Sequence, residues 1–263
     1  MPTPRIFDFD SAIVRAPGRS VVDGLRDDPS AQPDYAGIVA EHAVYVAALT
    51  AAGVAVEVLP PLEAFPDSVF VEDPALVFGA GAILLRPGAP SRLGERDAMR
   101  DTLARRFPRL LELDDGEYAD GGDVLVTPDA VLIGLSKRTN PAGAAALARH
   151  LHTIGRTARV VATPPGVLHF KTAVSLLEET TLLMTQAMAA SGHFAGFAIV
   201  VTPPGEEAAA NALRVNDTVL AGAHFPRTID LLAARGYNIV PLPVSQIAKL
   251  DAGLSCMSLR WKS

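Results

Sequence analysis

Arg159-Val160-Val161-Ala162-Thr163-Pro164-Pro165-Gly166 and Ala198-Ile199-Val200-Val201-Thr202-Pro203-Pro204-Gly205 are nearly one phrase written twice. Each is a short β-rich run halted by prolines, which have no N–H to give a strand ladder. Weaker versions lie elsewhere. Val54 to Leu59 runs into Pro60-Pro61, Leu110 to Leu113 into polar residues, and Tyr237 to Val240 into Pro241-Leu242-Pro243. The spacing is about 40 to 50 residues, the length of one supersecondary unit, and such a period marks a repeat architecture.

Between these runs the text has a common order: loop, hairpin-like strand pair, helix. In the first full unit the pair is Ala75 to Phe78 and Ala82 to Leu85, with a helix from Glu95 to Phe107 stopped by Pro108. In the second it is Val124 to Val126 and Ala130 to Ile133, with a helix from Asn140-Pro141 to near Gly155. The third unit offers only Thr181 to Met184 as a strand, and a shorter helix. The fourth has Leu213 to Val215 and Thr218 to Leu220, then a helix from Pro226 to Arg235. The fifth is split between the chain ends. Leu254 to Trp261 gives its late strand, Ile13 to Arg15 pairs beside it, and a helix from Asp34 to Ala52 completes it. Joining those pieces closes a ring. The expectation is one α/β domain over residues 1–263, a five-bladed α/β propeller of ββαβ-type repeats with pseudo-fivefold symmetry. An open α/β sheet is the alternative the pattern leaves.

Composition narrows the function. The chain of 263 residues carries a net charge of −6 and no Lys/Arg run, so no nucleic acid is expected as partner. No apolar run reaches the ~18 residues of a membrane helix, so no membrane is expected either. The single cysteine excludes an intrachain disulfide and any multi-cysteine metal site. Met1 to Asp10 lacks the basic and apolar regions of a signal peptide. These features point to a cytoplasmic protein with a small-molecule substrate, no cofactor and no metal; a homodimer is left open. A mildly acidic protein favours cationic small molecules.

The residues able to do chemistry fall at one place in the repeat, the loop after each unit's first run. The first unit gives Asp67 and Asp73, in Phe65-Pro66-Asp67-Ser68-Val69-Phe70-Val71-Glu72-Asp73; the second gives Asp120 and Asp123, around Gly121-Gly122. The third gives His169, in Leu168-His169-Phe170-Lys171-Thr172, and the fifth gives Ser255 and Cys256. Equivalent positions in a propeller converge on its axis, so carboxylates, a histidine and the sole cysteine would share one pocket. Each also has a plainer reading. Cys256 among Leu254, Met257 and Leu259 reads as a small buried hydrophobe, and His169 as a hydrogen-bonded core residue. Gly121-Gly122 reads as a turn. Asp67 and Asp73, however, sit in strongly apolar text, where an unpaired charge is costly. The other histidines read as structural; His150 and His152 are two apart on a helix and do not face each other.

The same segments resemble the dimethylarginine dimethylaminohydrolase family, within the pentein or guanidine-modifying superfamily. The resemblance runs through Ser20 to Leu25, Phe65 to Pro74, Arg86-Pro87-Gly88 with Ser91-Arg92, Asp120 to Val124, Arg138-Thr139-Asn140, Leu168 to Thr172, Asp251, and Leu254 to Arg260. It implies a five-bladed α/β propeller that hydrolyses Nω-methylated L-arginine to citrulline and an amine through a covalent thiouronium. It implies Cys256 as nucleophile, His169 as general acid/base and Asp120 as the carboxylate that orients the histidine. Asp73 matches the holder of the guanidinium and Asp67 the residue near the α-amine. Arg92 and Arg138 match the clamp on the α-carboxylate, a pairing that suits the planar guanidinium fork. Leu25 lies in the segment resembling a mobile lid, and Ser255 adjoins the nucleophile among the substrate-binding residues. The thiolate is expected to form because the substrate cation docks beside it, with no other cation near Cys256. A Cys–His pair would bind zinc only adventitiously.

Lys171 separates this text from arginine deiminases, whose motif resembles His-x-Asp, with a carboxylate for the unsubstituted nitrogens. Its loss favours methylarginine over arginine. Arginine deiminase, a hydrolase of another N-substituted arginine, and a non-enzymatic amino-acid-binding propeller stay as alternatives. Ala252 departs from the family's usual glycine and bears on loop geometry alone.

Overall fold

Each apolar run becomes one strand of a three-stranded sheet, and the computed structural model, which describes residues 4–263, contains five such sheets. Met1 to Thr3 of the N-terminal stretch lie outside the described residues. The chain opens with β1 (Ser11–Arg15), helix α1 (Tyr35–Ala51) and β2 (Ala55–Leu59). Next come β3 (Ala75–Phe78), β4 (Gly81–Leu84), α2 (Glu95–Arg106) and β5 (Leu110–Glu112). The following unit is β6 (Val124–Val126), β7 (Val131–Leu135), α3 (Pro141–Thr153) and β8 (Ala158–Ala162). After it stand β9 (Val174–Glu178), β10 (Thr181–Met184), α4 (Gln186–Ala189) and β11 (Ala198–Val201). The last full unit is β12 (Leu213–Val215), β13 (Thr218–Gly222), α5 (Pro226–Ala233) and β14 (Asn238–Leu242), and β15 (Leu259–Trp261) ends the chain.

Every unit repeats one pairing. The first strand runs antiparallel to the second, and the second runs parallel to the third across the helix. A parallel pair needs such a crossover. The split unit obeys the same rule from both chain ends: β15 pairs antiparallel with β1, Ser11 opposite Trp261, and β1 pairs parallel with β2, Ser11 opposite Ala55. Residues of all five first strands, β3, β6, β9, β12 and β15, line a single central cavity. That arrangement is a closed five-bladed α/β propeller with the first strands innermost.

The helices seal the joints between blades. Ile38, Tyr45 and Leu49 of α1 pack with Val14 of their own blade and with Val215, Leu220 and Leu242 of the neighbouring one. Ala144, Leu147 and Leu151 of α3 likewise meet Val131 and Ile133 together with Ile83 and Leu85. Helix starts follow local chemistry: the Asp34 side chain accepts from Gly37 N, and Asn140 accepts from Gly143 N ahead of Pro141. No helix is long and apolar enough to cross a membrane, among the described residues.

Two details differ from the sequence expectation. The third unit has a full hairpin, because β9 is a strand that the text hides: Val174 to Leu177 are buried on both faces, so the alternation that marks a half-exposed strand is absent. The run Leu254 to Trp261 is a strand only over Leu259–Trp261, and Ser255–Met257 is a 3-10 turn.

Glu41 fastens the split unit to its neighbour. It is 6 % exposed on α1 and accepts from Ser245 Oγ at 2.9 Å, Gln246 N at 2.9 Å and Ile247 N at 2.9 Å. Glu41→Ala leaves these donors without their acceptor, and is expected to cost about 3 kcal/mol in urea denaturation, with Glu41→Gln costing less. A loss too small to resolve would show that the joint is held by α1 packing alone.

Candidate active site

A 3-10 turn precedes each innermost strand: Pro66–Val69, Gly121–Asp123, Phe170–Thr172, Glu207–Ala210 and Ser255–Met257. These turns and their flanks carry the candidate residues to one end of the axis. Asp120 and His169 meet there, His169 Nε2 lying 2.9 Å from Asp120 Oδ2. Asp120 is fully enclosed; its other oxygen accepts from Gly88 N at 2.7 Å, and Arg138 Nη1 lies 3.7 Å from Oδ2. Asp123 braces both sides of this pair. It accepts from Phe170 N at 2.8 Å, next to His169, and from Ser136 Oγ and Thr139 Oγ1 at 2.6 and 2.7 Å. Thr139 Oγ1 in turn accepts from Asp120 N at 3.2 Å.

Gly121-Gly122 is more than a turn. A Cβ on Gly121 would stand 1.9 Å from Glu72 O, and one on Gly122 would stand 2.9 Å from His169 Nδ1 and 3.0 Å from Asp73 Oδ1. The backbone between the two aspartates passes too close to the neighbouring blades for any side chain. Burial opposes charge on His169, but Asp73, Asp120 and Asp123 outweigh it and raise the imidazole pKa to about 9.

Asp73 anchors the other side. Its Oδ1 accepts from Gly122 N at 2.9 Å and its Oδ2 from Arg92 Nη1. Burial would raise this carboxyl, yet Arg92, His169 and Gly122 N–H bring it down to about 2. Arg92 is itself 4 % exposed and heavily engaged: Nε and Nη2 meet both oxygens of Glu95 at 2.9 and 2.8 Å, and Nη2 also reaches Phe70 O and Asp67 O. Asp67 accepts from Leu25 N at 3.0 Å, and burial raises its pKa. Leu25 keeps 38 % of its surface exposed beside this carboxylate. Thus the arginines expected to clamp a carboxylate reach the centre through different acids, Arg92 through Asp73 and Arg138 through Asp120.

Cys256 is 7 % exposed, and its backbone carbonyl accepts from Glu72 N at 3.2 Å. Burial first, then Glu72 and Asp73, push its thiol up to about 12. The expectation that the protein offers no cation near Cys256 needs correction, because Lys171 works in the opposite direction on this thiol. That ammonium is paired, Nζ to Glu72 Oε1 at 2.5 Å. Glu72 also accepts from Ser255 Oγ at 3.0 Å and faces Arg260 Nη2 at 3.4 Å. Ser255 therefore points at Glu72, with its N–H held by Asn211 Oδ1 at 3.1 Å.

Glu72 and Asn211 are the central residues that the sequence reading missed. Asn211 follows the fourth 3-10 turn, the place that gave Asp73 and the His169 loop in other blades, so the repeat itself was the available signal. Ligand atoms of Asp73, Asp120 and His169 lie within 4.8 Å of one another. The Arg92 guanidinium and the bond from His169 to Asp120 already occupy them, so a cation would have to displace both. What the arrangement can do is hold a planar cation against Asp73, with a thiol and a proton-carrying imidazole near it.

Comparison with known proteins agrees with this geometry. A family model described as arginine deiminase matches residues 50–204. The N(G),N(G)-dimethylarginine dimethylaminohydrolase of Pseudomonas aeruginosa is 39 % identical over 254 residues, covering 96 % of this chain and 100 % of that one. The protein of the same name from Streptomyces coelicolor is 33 % identical, with 95 % and 96 % covered. A solved structure of the Pseudomonas aeruginosa protein, a cysteine-to-serine mutant in complex with citrulline, superposes with a TM-score of 0.93 over 97 % of this chain and 100 % of that one. The chain belongs to the dimethylarginine dimethylaminohydrolase family, within the arginine deiminase family of guanidine-modifying propellers.

Proposed function

We propose that this protein hydrolyses Nω-methylated L-arginine to L-citrulline and methylamine or dimethylamine, with Cys256 as nucleophile. The observation that carries the reading is the enclosed Asp120–His169 pair on the axis that also holds Cys256 and Asp73. Asp73 takes the substrate guanidinium. The incoming cation offsets the negative charges that, after burial, raise the thiol, and on substrate binding the thiol releases its proton to solvent and becomes thiolate. Sγ attacks the guanidinium carbon and gives a tetrahedral adduct. His169 is held by Asp120 through Nε2 and donates the Nδ1 proton to the departing amine, whose C–N bond breaks. The covalent thiouronium that remains is attacked by water, which gives a proton back to neutral His169. The C–S bond then breaks, the hydroxyl proton of the adduct passes to solvent, citrulline leaves and the thiolate is restored. In this reading Arg138 meets the α-carboxylate, Arg92, bonded to Asp73 and Glu95, holds the guanidinium-binding carboxylate in place, Asp67 and the Leu25 segment surround the α-amine, and Ser255 steadies Glu72 beside the thiol.

Lys171 bears on the choice of guanidine. It does more than remove an acceptor: by pairing with Glu72 it takes a second carboxylate out of use. Fewer acceptors then remain for unsubstituted nitrogens, which favours a methylated guanidinium over arginine. The lone cysteine needs a reducing compartment to stay a nucleophile, and we place the protein in the cytoplasm on that ground.

Incubation with asymmetric dimethylarginine, monomethylarginine and arginine is expected to yield citrulline mainly from the methylated compounds, and none with Cys256→Ser. Citrulline chiefly from arginine would reassign the enzyme as a deiminase; none from any would favour another N-substituted arginine or a binding role. Ultraviolet titration is expected to show thiolate only toward pH 12 in the protein alone, and an unreactive guanidinium analogue of arginine should lower that midpoint by more than ~1 pH unit. NMR of His169 is expected to show titration near pH 9. In Asp120→Asn the loss of one favourable charge should lower that value by about 1 unit, and an unmoved value would remove Asp120 from its orienting role.

A further inference from the structure

One blade gives the centre no acid, base or nucleophile among the described residues. The first supplies Asp73, the second Asp120, the third His169 and the fifth Cys256, each from the turn before its innermost strand or from the flank of that turn. In the fourth blade the same turn, Glu207–Ala210, ends at Asn211. Asn211 is 9 % exposed, and Ala209 and Ala210 before it are buried. This turn lies against the Phe170–Thr172 turn that follows His169. From its end the Asn211 side chain faces the segment Gly253 to Ser255, which leads into Cys256. Asn211 thus stands between the side of the centre that carries the proton and the side that carries the sulfur.

Two contacts define what this side chain does. Asn211 Oδ1 accepts from Ser255 N at 3.1 Å, one residue before Cys256. That bond sets the orientation of the carboxamide, because only its oxygen can accept. The backbone of Gly253 also comes so near that a Cβ there would stand 2.5 Å from Asn211 Cγ and 2.6 Å from Oδ1. Gly253 does not have a positive φ, so glycine is demanded there by this contact and not by a left-handed backbone. One carboxamide therefore grips the chain at two points immediately ahead of the cysteine. The first of those points matters to the sulfur. Burial, Glu72 and Asp73 push the Cys256 thiol up, while the Gly253 N–H and Lys171 act the other way. A backbone N–H held toward sulfur favours the thiolate over the thiol.

We propose that Asn211 is a positioning residue for the nucleophile: its carboxamide fixes the Gly253–Ser255 backbone so that the Gly253 N–H is held toward Cys256 Sγ and the sulfur keeps its place relative to His169. This role rests on Cys256 being the nucleophile, and Asn211 acts through that sulfur without touching substrate. The test is alkylation of the whole protein by iodoacetamide at one fixed pH, without substrate. Cys256 is the only cysteine, so the rate reports a single thiol, and it follows the thiolate fraction and access to the sulfur. Asn211→Leu keeps the bulk of the side chain and removes the acceptor. It is expected to slow alkylation about tenfold, the lower part of what a hydrogen bond to a charged group is worth. With asymmetric dimethylarginine it should lower kcat to a similar degree and leave KM within about twofold. A structural role alone would act in the opposite direction, since a loosened loop exposes a thiol that is only 7 % exposed and speeds its alkylation. Gly253→Ala presses on the same carboxamide from the chain it grips; it should give the same slowing, and it keeps the test valid should Asn211→Leu fail to fold. Alkylation unchanged or faster in either folded variant, or a loss carried by KM with kcat intact, would overturn the role. The alkylation arm needs no substrate, so a parent protein that makes no citrulline overturns the methylarginine reading and leaves alkylation to decide on Asn211.

Discussion

Negative charge is crowded at one end of the propeller axis, and the rest of the site is arranged around that fact. Asp67, Glu72, Asp73, Glu95, Asp120 and Asp123 are all buried there. Carboxylates removed from water are tolerated only when paired and hydrogen-bonded. Arg92 answers Asp73 and Glu95, His169 answers Asp120, and Lys171 with Arg260 answers Glu72. The same field keeps a proton on His169, and burial together with that field keeps one on the thiol of Cys256. A region built this way favours one more cation of planar shape, and the chemistry proposed for it begins when that cation arrives.

The repeat was legible because it lies in residues whose backbone effect is local. Prolines after strands, asparagine before a helix and short apolar runs carry their meaning within a few positions. The Asp120–His169 bond was legible at second hand, as two residues at equivalent places in successive units. What stayed hidden depends on neighbours distant in sequence. β9 is buried on both faces by other blades, so its text lacks alternation. Glu72 stands beside Asp73 and reads as one more acid; its meeting with Lys171, Arg260 and Ser255 is a product of ring closure. The reach of Arg92 to Asp73 and Glu95 cannot be inferred from spacing, since Glu95 alone is near it in sequence.

Gly121-Gly122 shows how tightly the parts are fitted. With Glu72 O on one side and the His169 ring on the other, the distance between Asp120 and Asp123 is filled by backbone alone. The position of the histidine is thus fixed by packing as well as by its hydrogen bond, which is what preorganisation of a proton carrier requires.

The blade made from both chain ends has a topological consequence. Ser11 Oγ lies 3.1 Å from Ser263 Oγ, and Ser263 N donates to Asp10 at 2.9 Å, so the terminal strands close the circle side by side. Seen from the axis, no blade is first and none is last. The molecule is a closed band whose opening point is an accident of connectivity, and a chain joined there and reopened in another inter-blade loop would contain the same ring and the same centre.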